Sequence, residues 1–353
     1  MAGSHSHSHA RDDDELNCGL GGGSDTDFNL RIVAIFVILI GSSAGALFPI
    51  LARRSKWLHV PKSVFDFAKY FGSGVIIATA FIHLLEPGIE ALKSPCLAEG
   101  WSEFPYAMAI CLLSIFLIFI VELVAFRWGT AKLAHLGVSH DPHGHNLGSH
   151  AAHGPETSYQ PSDVGFTKNE SSSSDIESGS EHGHDHPFSD NATTQLIGVA
   201  ILEFGVVLHS VLIGLTLAVD EAFKVLFVVI LFHQTFEGLG IGSRLAYLQL
   251  PQKYNWVPLA AAITFGLTTP IGIAAGLGVR STYNPGSTTA SIVSGVMDSF
   301  SAGILVYTGL VELFAHEFLF NKDMMAASNG KLAYALGCMC LGCALMALLG
   351  KWA

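Results

Sequence analysis

Residues 209–241 read HSVLIGLTLAVDEAFKVLFVVILFHQTFEGLGI, and this stretch decides the fold. Two apolar runs meet at Asp220 and Glu221, a connection short enough to make the flanking helices antiparallel neighbours. His209 lies 12 residues before Glu221 and His233 lies 12 after it. At about 1.5 Å of rise per residue both rings sit roughly 18 Å from the turn, near the middle of a hydrocarbon core about 30 Å thick. Glu237 follows His233 by four residues and shares its helical face, which His209 reaches from the facing helix. Two imidazoles and a carboxylate suit Zn²⁺, with Fe²⁺ or Mn²⁺ as alternatives, and Ser210 and Gln234 add weaker oxygen donors. A single histidine in a span is often a helix-to-helix hydrogen bond. Three donors at matched depth favour the metal.

Outward from this stretch the chain keeps the same character. Of 353 residues, 50% are hydrophobic and only 13% charged, against about 25% charged in soluble domains. Runs of span length fall near 32–51, 67–91, 106–126, 193–219, 222–246, 256–279, 289–315 and 331–350. The expected fold is therefore all-α, a polytopic membrane protein with eight transmembrane helices. Strands of a membrane barrel would alternate in polarity over about 10 residues, and nothing here does. Gly72, Gly74, Gly205, Pro270, Gly272 and Gly276 fall inside the runs, where close packing tolerates them. The segments 209–217 and 233–241 share His, a polar residue and Gly at the sixth place, as antiparallel copies of an inverted repeat would.

The chain divides into an acidic, His-bearing tail (1–30), helices one to three (31–126), a polar segment (127–192) and helices four to eight (193–353). The polar segment is rich in Ser, Gly, His and acid and is expected to be disordered. An even number of spans puts both termini on one side, and twelve of the 18 Lys and Arg fall in the opposite set of connections. The positive-inside rule then places both termini outside and the histidine-rich segment in the cytosol. There His140, His143, His145, His150, His153, His182, His184 and His186 alternate with Gly, Asp and Ser, which suits loose, exchangeable metal binding. A net charge of −11 with no basic block excludes nucleic acid as a partner. Of six cysteines, Cys111, Cys338, Cys340 and Cys343 read as small apolar residues of spans. Cys18 and Cys96 fall on the oxidising face, as a disulfide or as two free thiols.

Further ionisable residues lie inside the runs, where each is costly and faces an interior path more often than lipid. His83 and Glu86, in the outer half of the second span, read as an inlet relay. Glu122 and Glu203, towards cytosolic ends, read either as an outlet relay or as partners of nearby cations. Glu312 and His316 are one turn apart, on the path or bonded to each other, and Asp298 reads as a structural partner rather than a ligand.

HSVLIG, HQTFEG, the His-rich segment between the third and fourth spans and MDSFSAGILVYTGLVELFAHEF at 297–318 together resemble the ZIP (Zrt-, Irt-like protein) family of divalent metal transporters, in its fungal and plant plasma-membrane branch. The resemblance covers essentially the whole membrane region. It implies uptake of Zn²⁺, with Fe²⁺, Mn²⁺ or Cd²⁺ as alternatives, as transported substrate with no cofactor. It also implies a homodimer and an elevator-like movement of the helices that carry the site. His209, His233 and Glu237 become the transport site, with Ser210 and Gln234 beside them. Members with two metals carry a carboxylate four residues after the fourth-span His, where this chain has Ile213, so a single metal is expected. Leu212 and Phe236 likewise replace prolines of those members. The rival readings are an intramembrane zinc hydrolase, against which stands the absence of HExxH, and an exporter using the same site.

Overall fold

The computed structural model describes residues 18–19, 26–55, 60–135, 190–248, 250 and 252–352. Among the described residues, eight helices are long and apolar enough to cross a membrane. They are labelled α1 (Phe28–Arg54), α2 (Lys62–Leu92), α3 (Tyr106–His135), α4 (Asp190–Val219), α5 (Phe223–Tyr247), α6 (Val257–Val279), α7 (Thr288–Phe320) and α8 (Asn329–Leu349). Two short helices, Gly100–Glu103 and Lys322–Met325, sit in the connections after α2 and α7, and no strand occurs among the described residues. Boundaries differ from the apolar runs where backbone hydrogen bonding outlasts hydrophobicity. α3 continues to His135 and α4 begins at Asp190, so both intrude on the segment expected to be disordered. Residues 131–135, AKLAH, include good helix formers, and propagating a helix is easier than nucleating one. The eight loop histidines named above lie outside the described residues.

α1 packs on α5 and α4 on α6, while α2 packs on α8 and α3 on α7. α2 also meets α5 and α4 meets α7, and the pairs α1–α6 and α2–α7 complete the bundle. Exchanging α1 with α6, α2 with α7, α3 with α8 and α4 with α5 leaves these principal pairings unchanged, as inverted repeats related by a two-fold pack. α2 and α7 correspond in a second respect: each changes from α- to π-helical winding in its second half, over Thr79–Leu85 and Thr308–Phe320. In α2 a cause lies just downstream. Pro87 has no amide hydrogen to return to the preceding turn, so the carbonyls before it are released from regular pairing.

Close approach of the helices rests on missing side chains. A Cβ on Gly72 of α2 would meet the Gly240 Cα of α5, and one on Gly214 of α4 would meet Gly272 of α6. Around the α4–α5 turn, Ile38, Leu217, Phe223 and Ile273 join α1, α4, α5 and α6 into one apolar cluster. Arg31 is fully buried there, donating to the carbonyls of Leu217 (3.0 Å) and Asp220 (2.6 Å) with its guanidinium 4.5 Å from the Phe223 ring centroid. A cation on the last carbonyls of α4 offsets the helix dipole and fixes α1 to the turn. Asp220 closes that turn by accepting from the Ala222 amide at 2.7 Å. On the outer face of the bundle, α3 leaves Leu112, Leu113, Phe116 and Ile120 each more than half exposed, a surface fit for lipid and unfit for water.

Cys18 and Cys96 form a disulfide, resolving the pair left open by the sequence. Asn284 donates to the Gly19 carbonyl at 2.9 Å and Thr288 to the Cys96 carbonyl at 3.0 Å. The N-terminal tail, the α2–α3 connection and the α6–α7 connection are thereby held at one end of the bundle.

Candidate metal site

His209 and Ser210 face inward from α4, and His233, Gln234 and Glu237 from α5. All five are at most 2% exposed. The His209 and His233 ring centroids are 5.5 Å apart, and the His83 ring from α2 meets His233 edge-on at 4.7 Å. Gly238 and Gly240 follow Glu237 and let α5 lie close to α1 and α2.

The polar atoms here lack partners. Both oxygens of Glu237, both ring nitrogens of His209, Nε2 of His233 and Oε1 of Gln234 are buried with no hydrogen bond. Glu237 Oε2 stands 3.7 Å from His233 Nε2, beyond hydrogen-bond reach. A buried carboxylate without a partner costs several kcal/mol unless a cation or proton joins it. The separation has a simple reading: two donors about 2.0–2.2 Å from one tetrahedral zinc lie roughly 3.3–3.6 Å apart. Among the described residues no three His, Cys, Asp or Glu groups already stand within common reach of one ion. The donors are gathered but open, and small side-chain rotations would be needed to close them on a metal.

The remaining candidates divide. Gln234 Nε2 donates to Ser210 Oγ at 3.4 Å, so the two weaker donors first bridge α4 to α5, leaving Gln234 Oε1 free to face a cation. His83 Nε2 pairs with the Met346 carbonyl of α8 at 2.9 Å, placing its ring at the site's wall. Glu86 lies exposed beyond it. Glu122 accepts from the Tyr307 hydroxyl at 2.7 Å, so its partner is a phenol and not the cation the sequence offered. Glu203 keeps an unpartnered buried oxygen. The pairing of Glu312 with His316 is not made: the π-helical winding of α7 changes which residues share a face, leaving His316 exposed. Glu317 instead is buried and pairs with Lys69 of α2 at 2.5 Å. The sequence offered no signal for that pair, since the residues are 248 apart and the winding is not legible from polarity. Asp298 of α7, read as structural, lies 3.8 Å from His209 Nδ1.

Eight membrane-length helices around gathered, unpartnered nitrogen and oxygen donors define a polytopic transporter of metal cations. The family model described as ZIP zinc transporter matches residues 28–350, and the chain belongs to that family. It is 41% identical to zinc-regulated transporter 1 of Saccharomyces cerevisiae, across 92% of this chain and 87% of that protein. Zinc-regulated transporter 2 of the same yeast is 38% identical over 92% of this chain and 94% of its own. Zinc-regulated transporter 1 of Schizosaccharomyces pombe is 40% identical over 92% and 85%. The chain is thus a multi-pass membrane protein of a zinc-transporting family, with the metal as substrate, and the hydrolase reading is set aside.

Proposed function

We propose that this protein takes up Zn²⁺ across the plasma membrane into the cytosol through a single-metal site formed by His209, His233 and Glu237, with Gln234 and Ser210 beside them. The observation that carries this reading is the cluster of buried donor atoms without hydrogen bonds on α4 and α5. Zinc loses water at the site and gains two imidazoles and a carboxylate, the donor set that suits it. His83 and Glu86 form the inlet, and Glu203 and Glu122 the outlet. Both termini lie outside. The Cys18–Cys96 disulfide supports that orientation, because it ties the tail to the α2–α3 connection and disulfides persist on oxidising faces. The working unit is a homodimer, and the His-rich cytosolic segment receives the released ion.

His209→Ala is expected to abolish ⁶⁵Zn uptake in transport-deficient cells while surface labelling stays at the wild-type level. Uptake unchanged at equal surface abundance would overturn the site. A crosslinking or mass measurement in nanodiscs giving only monomer would remove the dimer without touching the site.

A further inference from the structure

We infer that Asp298 is a positioning residue for the transport site, orienting the His209 ring from α7 without itself touching the metal. The inference rests on the site proposed above. His209 is only 2% exposed and neither ring nitrogen has a hydrogen-bond partner, yet the Asp298 carboxylate stands 3.8 Å from Nδ1 and is itself 13% exposed. The His233 ring of the proposed site lies 5.5 Å from the His209 ring, centroid to centroid. An imidazole binds metal through one nitrogen and its orientation and tautomer are set by what the other nitrogen donates to. A carboxylate at Nδ1 holds the proton there and leaves the Nε2 lone pair for the cation. The present distance exceeds a hydrogen bond by less than about 1 Å, so a modest ring rotation completes the contact.

The placement gives the contact a second consequence. His209, His233 and Glu237 all sit on α4 and α5, whereas Asp298 sits on α7, which packs on α4 and carries none of the proposed donors. Sliding of α7 against α4 therefore acts on His209 directly, and on His233 and Glu237 only through α4 and α5. Facing Asp298 from the α6–α7 connection is Tyr283, whose hydroxyl is pushed up by burial and by that carboxylate and so remains a neutral neighbour.

The experiment is concentration-dependent ⁶⁵Zn uptake by Asp298→Ala, Asp298→Asn and Asp298→Glu in transport-deficient cells, normalised to surface protein, with His209→Ala alongside. Loss of an orienting carboxylate behind a metal-bound histidine costs about 10–100-fold in affinity. Asp298→Ala is therefore expected to raise the KM for zinc by that factor with maximal rate within a few-fold of wild type. Asp298→Asn, whose amide oxygen still accepts from Nδ1–H, is expected to fall between Ala and wild type, and it retains the shape of the native side chain should Ala fail to reach the surface. A wild-type KM in both variants overturns the inference. So does an Asn variant as impaired as Ala in KM and maximal rate alike, which would make Asp298 a direct ligand. Loss of surface protein in every variant at unchanged KM would assign it a structural role and overturn it equally. If His209→Ala itself transports normally, the site reading fails first; if only the Asp298 variants behave as wild type, the site stands and this inference falls.

Discussion

Glu237 is fully buried, and neither of its oxygens has a hydrogen bond. Such a carboxylate is destabilising in the empty protein and strongly favourable once a dication arrives, so function and stability pull in opposite directions at one residue. Glu237→Gln keeps the shape and removes the charge. The substituted protein is expected to lose at least about 100-fold in the zinc uptake rate at low zinc, the scale of removing one partner of a buried charge pair. In metal-free detergent solution the same variant should unfold at a higher temperature than wild type. A lower midpoint would show that Glu237 is already satisfied without metal. Its nearness to His233 and His209 was legible in the sequence because polarity within an apolar run is conspicuous and because the Asp220–Glu221 turn supplied a ruler. The approach of Asp298 to His209 was not legible, since the two lie on helices remote in sequence and no ruler links them.

At the scale of helices, the eight spans are readable from length and hydropathy because a bilayer demands both. Their ends are less so, and the winding of α2 and α7 not at all: Pro87 marks one π-helical stretch, while nothing in Thr308–Phe320 announces the other. That is why Glu312 and His316 suggested a pair that is not made, and why Lys69–Glu317 went unseen. Packing, by contrast, was foreshadowed by glycine. Gly240 leaves room for α2 against α5, and a Cβ there would lie 3.0 Å from the Gly72 Cα and 3.0 Å from its carbonyl oxygen. Both are backbone atoms that cannot swing aside. Gly240→Val is thus expected to destabilise the protein by about 1–3 kcal/mol or more, as overpacking does. Fluorescence-detected size-exclusion chromatography after heating would measure it, and Gly337→Val, at a position with nothing within 4 Å, serves as the control expected to stay near wild type.

For the whole molecule the acidic balance of −11 and the two-fold pattern of helix pairs suit a carrier of cations across a membrane. The disulfide constrains how one end of the bundle moves: Cys18 and Cys96 are 78 residues apart, and losing such a link costs about 2–5 kcal/mol. Cys96→Ser should lower the unfolding midpoint accordingly, and an unchanged midpoint would make the tie dispensable. The larger consequence concerns voltage. A univalent charge crossing 100 mV gains about 2.3 kcal/mol, so a dication gains about 4.6 kcal/mol, sufficient for roughly a 2,000-fold accumulation. If Zn²⁺ passes a site whose own charge does not travel, proteoliposomes given a potassium diffusion potential of about 60 mV, negative inside, should accumulate ⁶⁵Zn roughly 100-fold more than at zero potential. Should Glu237 instead return carrying one proton, each cycle would move one net positive charge rather than two. Accumulation would then rise only roughly 10-fold at the same voltage and would also follow the pH gradient, and that outcome would replace facilitated entry with exchange.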